Sequence, residues 1–141
     1  MRICRSIFNE IINIPVDAPP EVGGIIGGND GIVTDHYLDA GATFGIACSY
    51  TPNVSLLNTI ISEWSTKGIR FMGIYHTHFF NVQTLSDADM RYITKILLSM
   101  PEEIDSLYFP LVIFPRRTMV CFKAIKNFKG IEICNDNLVL I

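Results

Sequence analysis

Positive charge is scarce in this sequence. Its 141 residues include 11 lysines and arginines but 14 aspartates and glutamates, which gives a formal net charge of -3 at pH 7. Proteins that hold nucleic acid through its phosphates normally present a basic surface. We therefore predict that nucleic acid is not a partner of this chain.

The sequence also lacks closely spaced cysteines and an unbroken apolar segment. Its four cysteines form no C-x-x-C pair. Asn9, Glu10 and Asn13 interrupt the apolar run that a signal peptide needs, and small polar residues and a proline interrupt the uncharged span 40–62. We therefore predict reduced thiols, a cytoplasmic location and no membrane partner.

What the sequence does contain is enough apolar material for a folded core. Hydrophobic residues make up 49% of the chain and charged residues 18%, a balance that is typical of globular proteins and not of disordered ones. At this length we predict one domain over residues 1–141.

Hydrophobic periodicity predicts that helices and strands alternate in the middle of the chain. The predicted helices cover 3–14, 54–67 and 86–100. The predicted strands cover 23–28, 32–37, 44–50, 69–75, 107–114 and 118–125, with a last strand at 131–134 or 138–141. This order favours an α/β fold, a layered domain with a central mixed β-sheet flanked by helices.

The strongest candidates for metal-binding and catalytic residues follow the predicted strand 69–75. His76 and His78 are one residue apart, and Ser86 and Asp89 open the next predicted helix. Alternate residues of a strand point to the same face, so both imidazoles face one point. The first turn of the helix can return the Asp89 carboxylate to that point. Two imidazoles and a carboxylate are ligand types of catalytic zinc sites, which keep a fourth position for water.

The Ser-x-x-Asp segment has a second interpretation, in which Ser86 and Asp89 only close the start of the helix as a capping box. Beside the histidine pair, we favour the ligand role for Asp89. Other zinc enzymes are excluded, because the deaminase pattern His-x-Glu with Pro-Cys-x-x-Cys and the metalloprotease pattern His-Glu-x-x-His are both absent.

The motif His76-x-His78-x7-Ser86-x-x-Asp89 closely resembles that of the JAB/MPN metalloprotease family, also called JAMM, in its prokaryotic type. That family also has a glutamate near the N-terminus. Glu21 lies in a similar setting, after two prolines and before a glycine-rich segment. The resemblance covers most of the chain and implies a JAB/MPN-like, cytidine-deaminase-like architecture.

The resemblance also implies a role for each of these residues. His76, His78 and Asp89 would hold Zn2+ as the cofactor. Glu21 would be the general base that takes a proton from the zinc-activated water, and Ser86 would stabilise the oxyanion. The sequence departs from the family at two positions between and after the histidines, where threonine and phenylalanine replace the usual serine and proline.

In family terms, the chain is expected to be a zinc isopeptidase. It would cut the amide bond after the C-terminal tail of a ubiquitin-like, β-grasp or sulfur-carrier protein. Such a substrate implies an E1-like enzyme in the same pathway. A homodimer is a further possible assembly of the chain. Two alternatives stay open: a peptidase that trims a precursor tail, and a catalytically silent MPN-type scaffold that binds proteins.

Several other residues carry weaker expectations. His36 lies in a predicted strand and is expected to be structural, not a fourth ligand. Pro110 predicts that its strand lies near an edge or a bulge of the sheet. Arg116 and Arg117 are expected to be solvated at a hairpin tip.

Overall fold

The computed structural model describes residues 1–41 and 50–141. The helices and strands of these residues, in chain order, are β1 Arg2–Ile3, α1 Arg5–Ile12, β2 Gly23–Asn29, β3 Ile32–Asp39, α2 Val54–Thr66, β4 Arg70–His78, α3 Asp87–Ser99, β5 Ser106–Ile113, β6 Thr118–Asn127, β7 Gly130–Asp136 and β8 Val139–Leu140.

The strands form one 8-stranded mixed sheet in the order β7-β6-β5-β4-β2-β3-β1-β8. Strand β4, which carries the histidines, lies near the centre, antiparallel to β2 and parallel to β5. The predicted α/β fold with a mixed sheet is therefore confirmed.

Successive residues of a strand point to opposite faces of the sheet. Adjacent apolar residues therefore have to be buried on both faces, and helices cover each face. On one face, Ile26 and Tyr75 belong to a buried cluster that α1 joins through Ile11. On the other face, their strand neighbours Ile25 and Ile74 belong to a second cluster, to which α2 and α3 contribute. The helical members of that second cluster are Leu57, Trp64, Ile93 and Leu97.

The turn and capping residues predicted from the sequence lie at the ends of the helices and strands. Asp30 and Gly31 both have positive φ, 53° and 73°, which makes the β2–β3 connection a two-residue hairpin turn. Gly68 follows α2 with φ of 75°, the left-handed conformation that commonly stops a helix. Ser86 caps α3, and Pro101 follows its last turn.

Other expectations about the elements were wrong or incomplete. Arg2–Ile3 is a strand and not the start of the first helix. Pro110 lies in an interior strand, β5, where the pairing with β4 is interrupted between Tyr108 and Leu111. Both candidates for the last strand are present, as β7 and β8. The predicted strand 44–50 lies outside the described residues, except for its last position.

Arg117 is not simply solvated. Its guanidinium donates to the backbone oxygens of Ile12 and Ile14, each at 3.1 Å. It also lies over the ring of Phe114, 4.9 Å from the centroid. Arg117 therefore binds the carbonyl of Ile12, at the C-terminal end of α1, and that of Ile14, in the segment that follows the helix. Arg116 is exposed, as predicted.

Within the described ranges, none of the helices combines the length and the apolar character needed to cross a bilayer.

A close contact between α2 and the sheet gives the first testable prediction. A Cβ atom on Gly27 would lie 2.6 Å from Cζ3 of Trp64 and 2.7 Å from its Cε3. We expect Gly27→Ala to lower the free energy of unfolding by about 1–3 kcal/mol through overpacking. Urea denaturation measures this loss.

Trp64→Phe provides the control, because it replaces the larger ring that supplies the two nearest contacts and leaves only Ile69 Cγ2, at 2.9 Å, unchanged. The double variant should lose less stability than the sum of the single variants. Additivity within about 0.5 kcal/mol would show that this contact is not the cause.

Candidate metal centre

Strand β4 holds the two histidines side by side at its end. Both imidazoles are buried, with His76 8% and His78 6% exposed. Their rings meet edge to face, and the two Nε2 atoms are 3.1 Å apart. His76 pairs with Gly23 of β2 on one side and with Leu111 of β5 on the other. Because neighbouring strands hold the backbone on both sides, the imidazoles have little freedom to separate.

Helix α3 returns the carboxylate of Asp89 to the same point. Its Oδ1 lies 3.3 Å from Nε2 of His76, and its Oδ2 lies 3.3 Å from Nε2 of His78. The capping box is also present: the Asp89 N–H donates to Ser86 Oγ at 3.1 Å, and the Ser86 N–H donates to Asp89 Oδ2 at 2.7 Å. The cap and the ligand position are therefore one arrangement and not alternatives, because the cap orients the carboxylate toward the histidines.

The hydroxyl of Ser86 is engaged by the same carboxylate. Ser86 Oγ lies 2.7 Å from Asp89 Oδ2, to which it donates its proton. A hydroxyl has one proton to donate. Ser86 must therefore turn away from Asp89 before it can donate to any other acceptor.

Glu21 reaches the site from the segment that leads into β2. Thr77, between the histidines, fixes this segment through two bonds: the Val22 N–H donates to Thr77 Oγ1 at 3.0 Å, and the Thr77 N–H donates to the Val22 oxygen at 2.8 Å. Glu21 Oε1 lies 3.9 Å from Nε2 of His78. The hydroxyl at position 77 therefore has a structural task, for which threonine is suited.

The separations of these donors fit a tetrahedral metal ion. The Nε2 atoms of His76 and His78 are 3.1 Å apart, and each lies 3.3 Å from a different oxygen of the Asp89 carboxylate. Bonds of about 2.0–2.1 Å to zinc place ligand atoms roughly 3.3–3.4 Å apart. Glu21, His76 and His78 also offer ligand atoms that all lie within 4.8 Å of one another. Both carboxylates therefore lie near the two imidazoles, with Asp89 0.6 Å nearer to Nε2 of His78 than Glu21 is (3.3 against 3.9 Å).

The charges of the site interact strongly. Burial raises the pKa of Glu21, and this effect exceeds the opposing effect of the nearby His78 and His76. Burial also acts to raise the pKa of Asp89, but hydrogen bonds with both histidines outweigh it and hold that pKa well below its usual range. For His78, burial acts to lower the pKa. The bond to Asp89 and the charge of Glu21 act to raise it and outweigh burial, so the net shift of the pKa is upward.

A cavity of about 190 Å³ opens beside His76 and Asp89, with Tyr50 and Tyr92 among its walls. An apolar groove of about 500 Å³ between α2 and α3 shares Tyr92 and two further residues with this cavity, so the two spaces adjoin. Another cavity, of about 220 Å³, surrounds Arg70 at the opposite end of β4 and is remote from the histidines.

All five predicted site residues meet here, and two residues that the sequence did not suggest accompany them. Tyr50 donates its backbone N–H to Glu21 Oε2 at 3.2 Å, and its hydroxyl donates to Asp39 Oδ2 at 2.8 Å. No motif points to either residue, because their contacts join parts of the chain that are distant in sequence. His36 bonds to Glu10 and Tyr75, outside this group, as predicted.

Phe79, which follows the histidines, is buried against Phe114, with ring centroids 5.7 Å apart. Its side chain is part of the core on the face that α1 covers. The phenylalanine that replaces the usual proline therefore contributes to the core and adds no polar group to the candidate metal centre.

Comparison with solved structures identifies the fold. A protein of Desulfitobacterium hafniense, whose solution structure is known, superposes with a TM-score of 0.69 at 18% identity, covering 99% of this chain and 92% of that one. A JAB1/MPN domain protein from Archaeoglobus fulgidus superposes with a TM-score of 0.58 at 17% identity, covering 100% of this chain and 99% of that one.

The chain has a JAB1/MPN-like fold. No family model matches its sequence. No curated protein matches it either. At these identities the likeness extends to the fold alone, so the chemistry of the site has to be argued from its own residues.

The second prediction concerns metal content. The protein should carry about one zinc ion per chain, because three donors with tetrahedral spacing leave one open position. We expect His76→Ala and Asp89→Ala to lose the ion, as measured by mass spectrometry of the metal after gel filtration. His36→Ala is the matched control and should retain it. Full zinc retention in both site variants would contradict the assignment.

Proposed function

We propose that this protein is a zinc-dependent hydrolase of amide bonds, specifically an isopeptidase. One observation carries the proposal. The imidazoles of His76 and His78 and the carboxylate of Asp89 converge with separations of 3.1 to 3.3 Å at the edge of a cavity. A second carboxylate, that of Glu21, lies 3.9 Å from Nε2 of His78. A general base beside an open metal position is the arrangement that metal-assisted hydrolysis requires.

The proposed chemistry divides between a metal and a base. Zinc held by His76, His78 and Asp89 would supply Lewis acidity toward a water molecule and the substrate carbonyl. Glu21 accepts the proton of that water and later delivers it to the leaving amine. Its raised pKa supports this role, because a carboxylate in water is a weak base at neutral pH.

Ser86 is the proposed donor to the oxyanion that forms at the substrate carbonyl. In the structure its hydroxyl donates to Asp89. The proposal therefore includes a rotation of this hydroxyl from the Asp89 carboxylate to the substrate oxygen, where negative charge develops during the reaction.

The proposed substrate is the C-terminal Gly-Gly tail of a ubiquitin-like, β-grasp or sulfur-carrier protein, joined by an amide bond to a lysine or a small adduct. The cavity beside the histidines is small and has Tyr50 and Tyr92 among its walls, which supports a tail without side chains next to the scissile bond. An E1-like enzyme that activates such a tail would belong to the same pathway. A scaffold without catalysis and a peptidase that trims precursor tails are the competing outcomes of the experiments below.

The third prediction tests Glu21 as base. Glu21→Gln keeps the size and polarity of the side chain but cannot accept a proton at neutral pH. We expect zinc content to stay at the wild-type level and turnover of a Gly-Gly-linked ubiquitin-like fusion to fall by at least ~100-fold.

The control is Glu10→Gln, which alters a carboxylate on α1 that contacts His36 and not the metal centre. It should leave turnover unchanged. Wild-type activity in Glu21→Gln would contradict the base assignment, and loss of zinc in that variant would make Glu21 a ligand. A wild-type protein that binds zinc but cleaves no fusion would favour the scaffold.

The fourth prediction separates the two tasks of Ser86. If the residue only caps α3, Ser86→Ala should cost about 0.5–2 kcal/mol of stability and leave turnover of the folded protein intact. If it also donates to the oxyanion, Ser86→Ala should lower kcat by ~100-fold or more with zinc retained. We expect the second result, and we expect Ser86→Thr, which keeps a hydroxyl, to recover most of the lost activity.

A further inference from the structure

Asp39 is a buried carboxylate beside the site that the proposed chemistry does not use. It is 4% exposed. Its Oδ1 accepts the Gly41 N–H at 2.9 Å, and its Oδ2 accepts the Tyr50 hydroxyl and the Asn53 N–H, each at 2.8 Å. Asp39 thus binds the chain where it leaves β3 and again just before α2.

Burying this carboxylate is costly unless hydrogen bonds compensate for the hydration that it loses. No lysine or arginine pairs with Asp39 within the described residues, so three neutral donors provide its stabilisation. An ionised carboxylate only accepts hydrogen bonds, which makes it suited to a point where three donors converge. Asparagine in its place has only one acceptor oxygen and would turn an NH2 group toward at least one of those donors.

Tyr50 connects this carboxylate to the metal centre. Its hydroxyl donates to Asp39, and its backbone N–H donates to Glu21 Oε2 at 3.2 Å. Its ring lies against Gly23, where a Cβ atom would be 2.5 Å from Tyr50 Cε1, and Gly23 is the strand partner of His76. The Tyr50 side chain is therefore held at two places. Asp39 binds its hydroxyl, and Gly23 of β2 packs against its ring.

The protonation of Tyr50 suits this connection. Burial raises the pKa of the phenol well above its usual range, and the bond to Asp39 raises it further. Both effects favour the protonated phenol, which can donate its proton to Asp39.

We propose that Asp39 and Tyr50 are positioning residues for Glu21. Asp39 holds the Tyr50 side chain, and the Tyr50 backbone N–H then binds one oxygen of Glu21, which leaves the other oxygen directed toward the histidines. This inference rests on the proposed function, in which Glu21 is the base. A small error in its orientation would slow proton transfer without affecting the three metal ligands.

The activity test is a double-mutant cycle on the full, zinc-loaded chain. We expect Asp39→Asn to lower kcat by ~10–100-fold with a smaller change in KM and with zinc retained. In a Glu21→Gln background the same substitution should lower kcat by less than about 2-fold, because the residue through which Asp39 acts is already lost. A loss of equal size in both backgrounds would mean that Asp39 acts independently of Glu21, and the proposal would be wrong.

Asp35→Asn and Tyr37→Phe are the matched controls, since both residues lie on β3 with Asp39 and neither bonds to Tyr50 or Glu21. Both should retain wild-type kcat. Tyr50→Phe is the second test variant in case Asp39→Asn fails to fold. It removes the hydroxyl but keeps the backbone N–H, and its loss of kcat should likewise depend on Glu21.

A second readout needs no turnover. In the NMR spectrum of the zinc-loaded protein, Glu21→Gln should shift the Tyr50 amide resonance by removing its bond to a carboxylate. Asp39→Asn should shift it in the same direction, and the two effects should not add. An unmoved Tyr50 amide in Asp39→Asn overturns the inference. If the wild-type protein hydrolyses no substrate, the proposed function fails, while the NMR result still decides whether Asp39 orients Glu21 through Tyr50.

Discussion

The antiparallel pairing of β2 with β4 brings the two parts of the candidate metal centre together. Glu21 precedes β2 and both histidines end β4, so their distance is set by the register between these strands. Thr77 strengthens that register at its last point with one bond through its hydroxyl and one through its backbone. Since side chains alternate along a strand, a shift by one residue would turn both imidazoles to the opposite face.

The site is a set of polar groups at the end of a buried strand, and each group has a partner that limits its motion. Asp89 is oriented by the cap of α3, and the backbone of His76 is held between β2 and β5. Glu21 receives the Tyr50 N–H. Such constraints reduce the reorganisation that a metal ion or a reacting substrate would demand, which is the physical content of preorganisation. For Asp89, the hydrogen bonds with both histidines also outweigh the cost of burying its charge.

Much of this arrangement follows from local patterns. Strand alternation places His76 and His78 on one face, and the Ser-x-x-Asp spacing predicts the start of α3 and the position of Asp89. Glu21 is different, because glutamate before glycines is a weak pattern and only the resemblance to a family indicated it. Asp39 and Tyr50 could not be predicted, since their bonds depend on how β3 and the start of α2 meet around β2. Arg117 was misjudged for the same reason: its partners at the end of α1 are more than a hundred positions away in sequence.

Anomalous diffraction at the zinc absorption edge, from crystals of the protein, tests directly whether these residues bind zinc. We expect one strong peak, about 2.0–2.2 Å from Nε2 of His76, Nε2 of His78 and a carboxylate oxygen of Asp89, with Glu21 outside bonding distance. A peak bound by other residues, or no peak at this point in zinc-saturated crystals, would contradict this assignment.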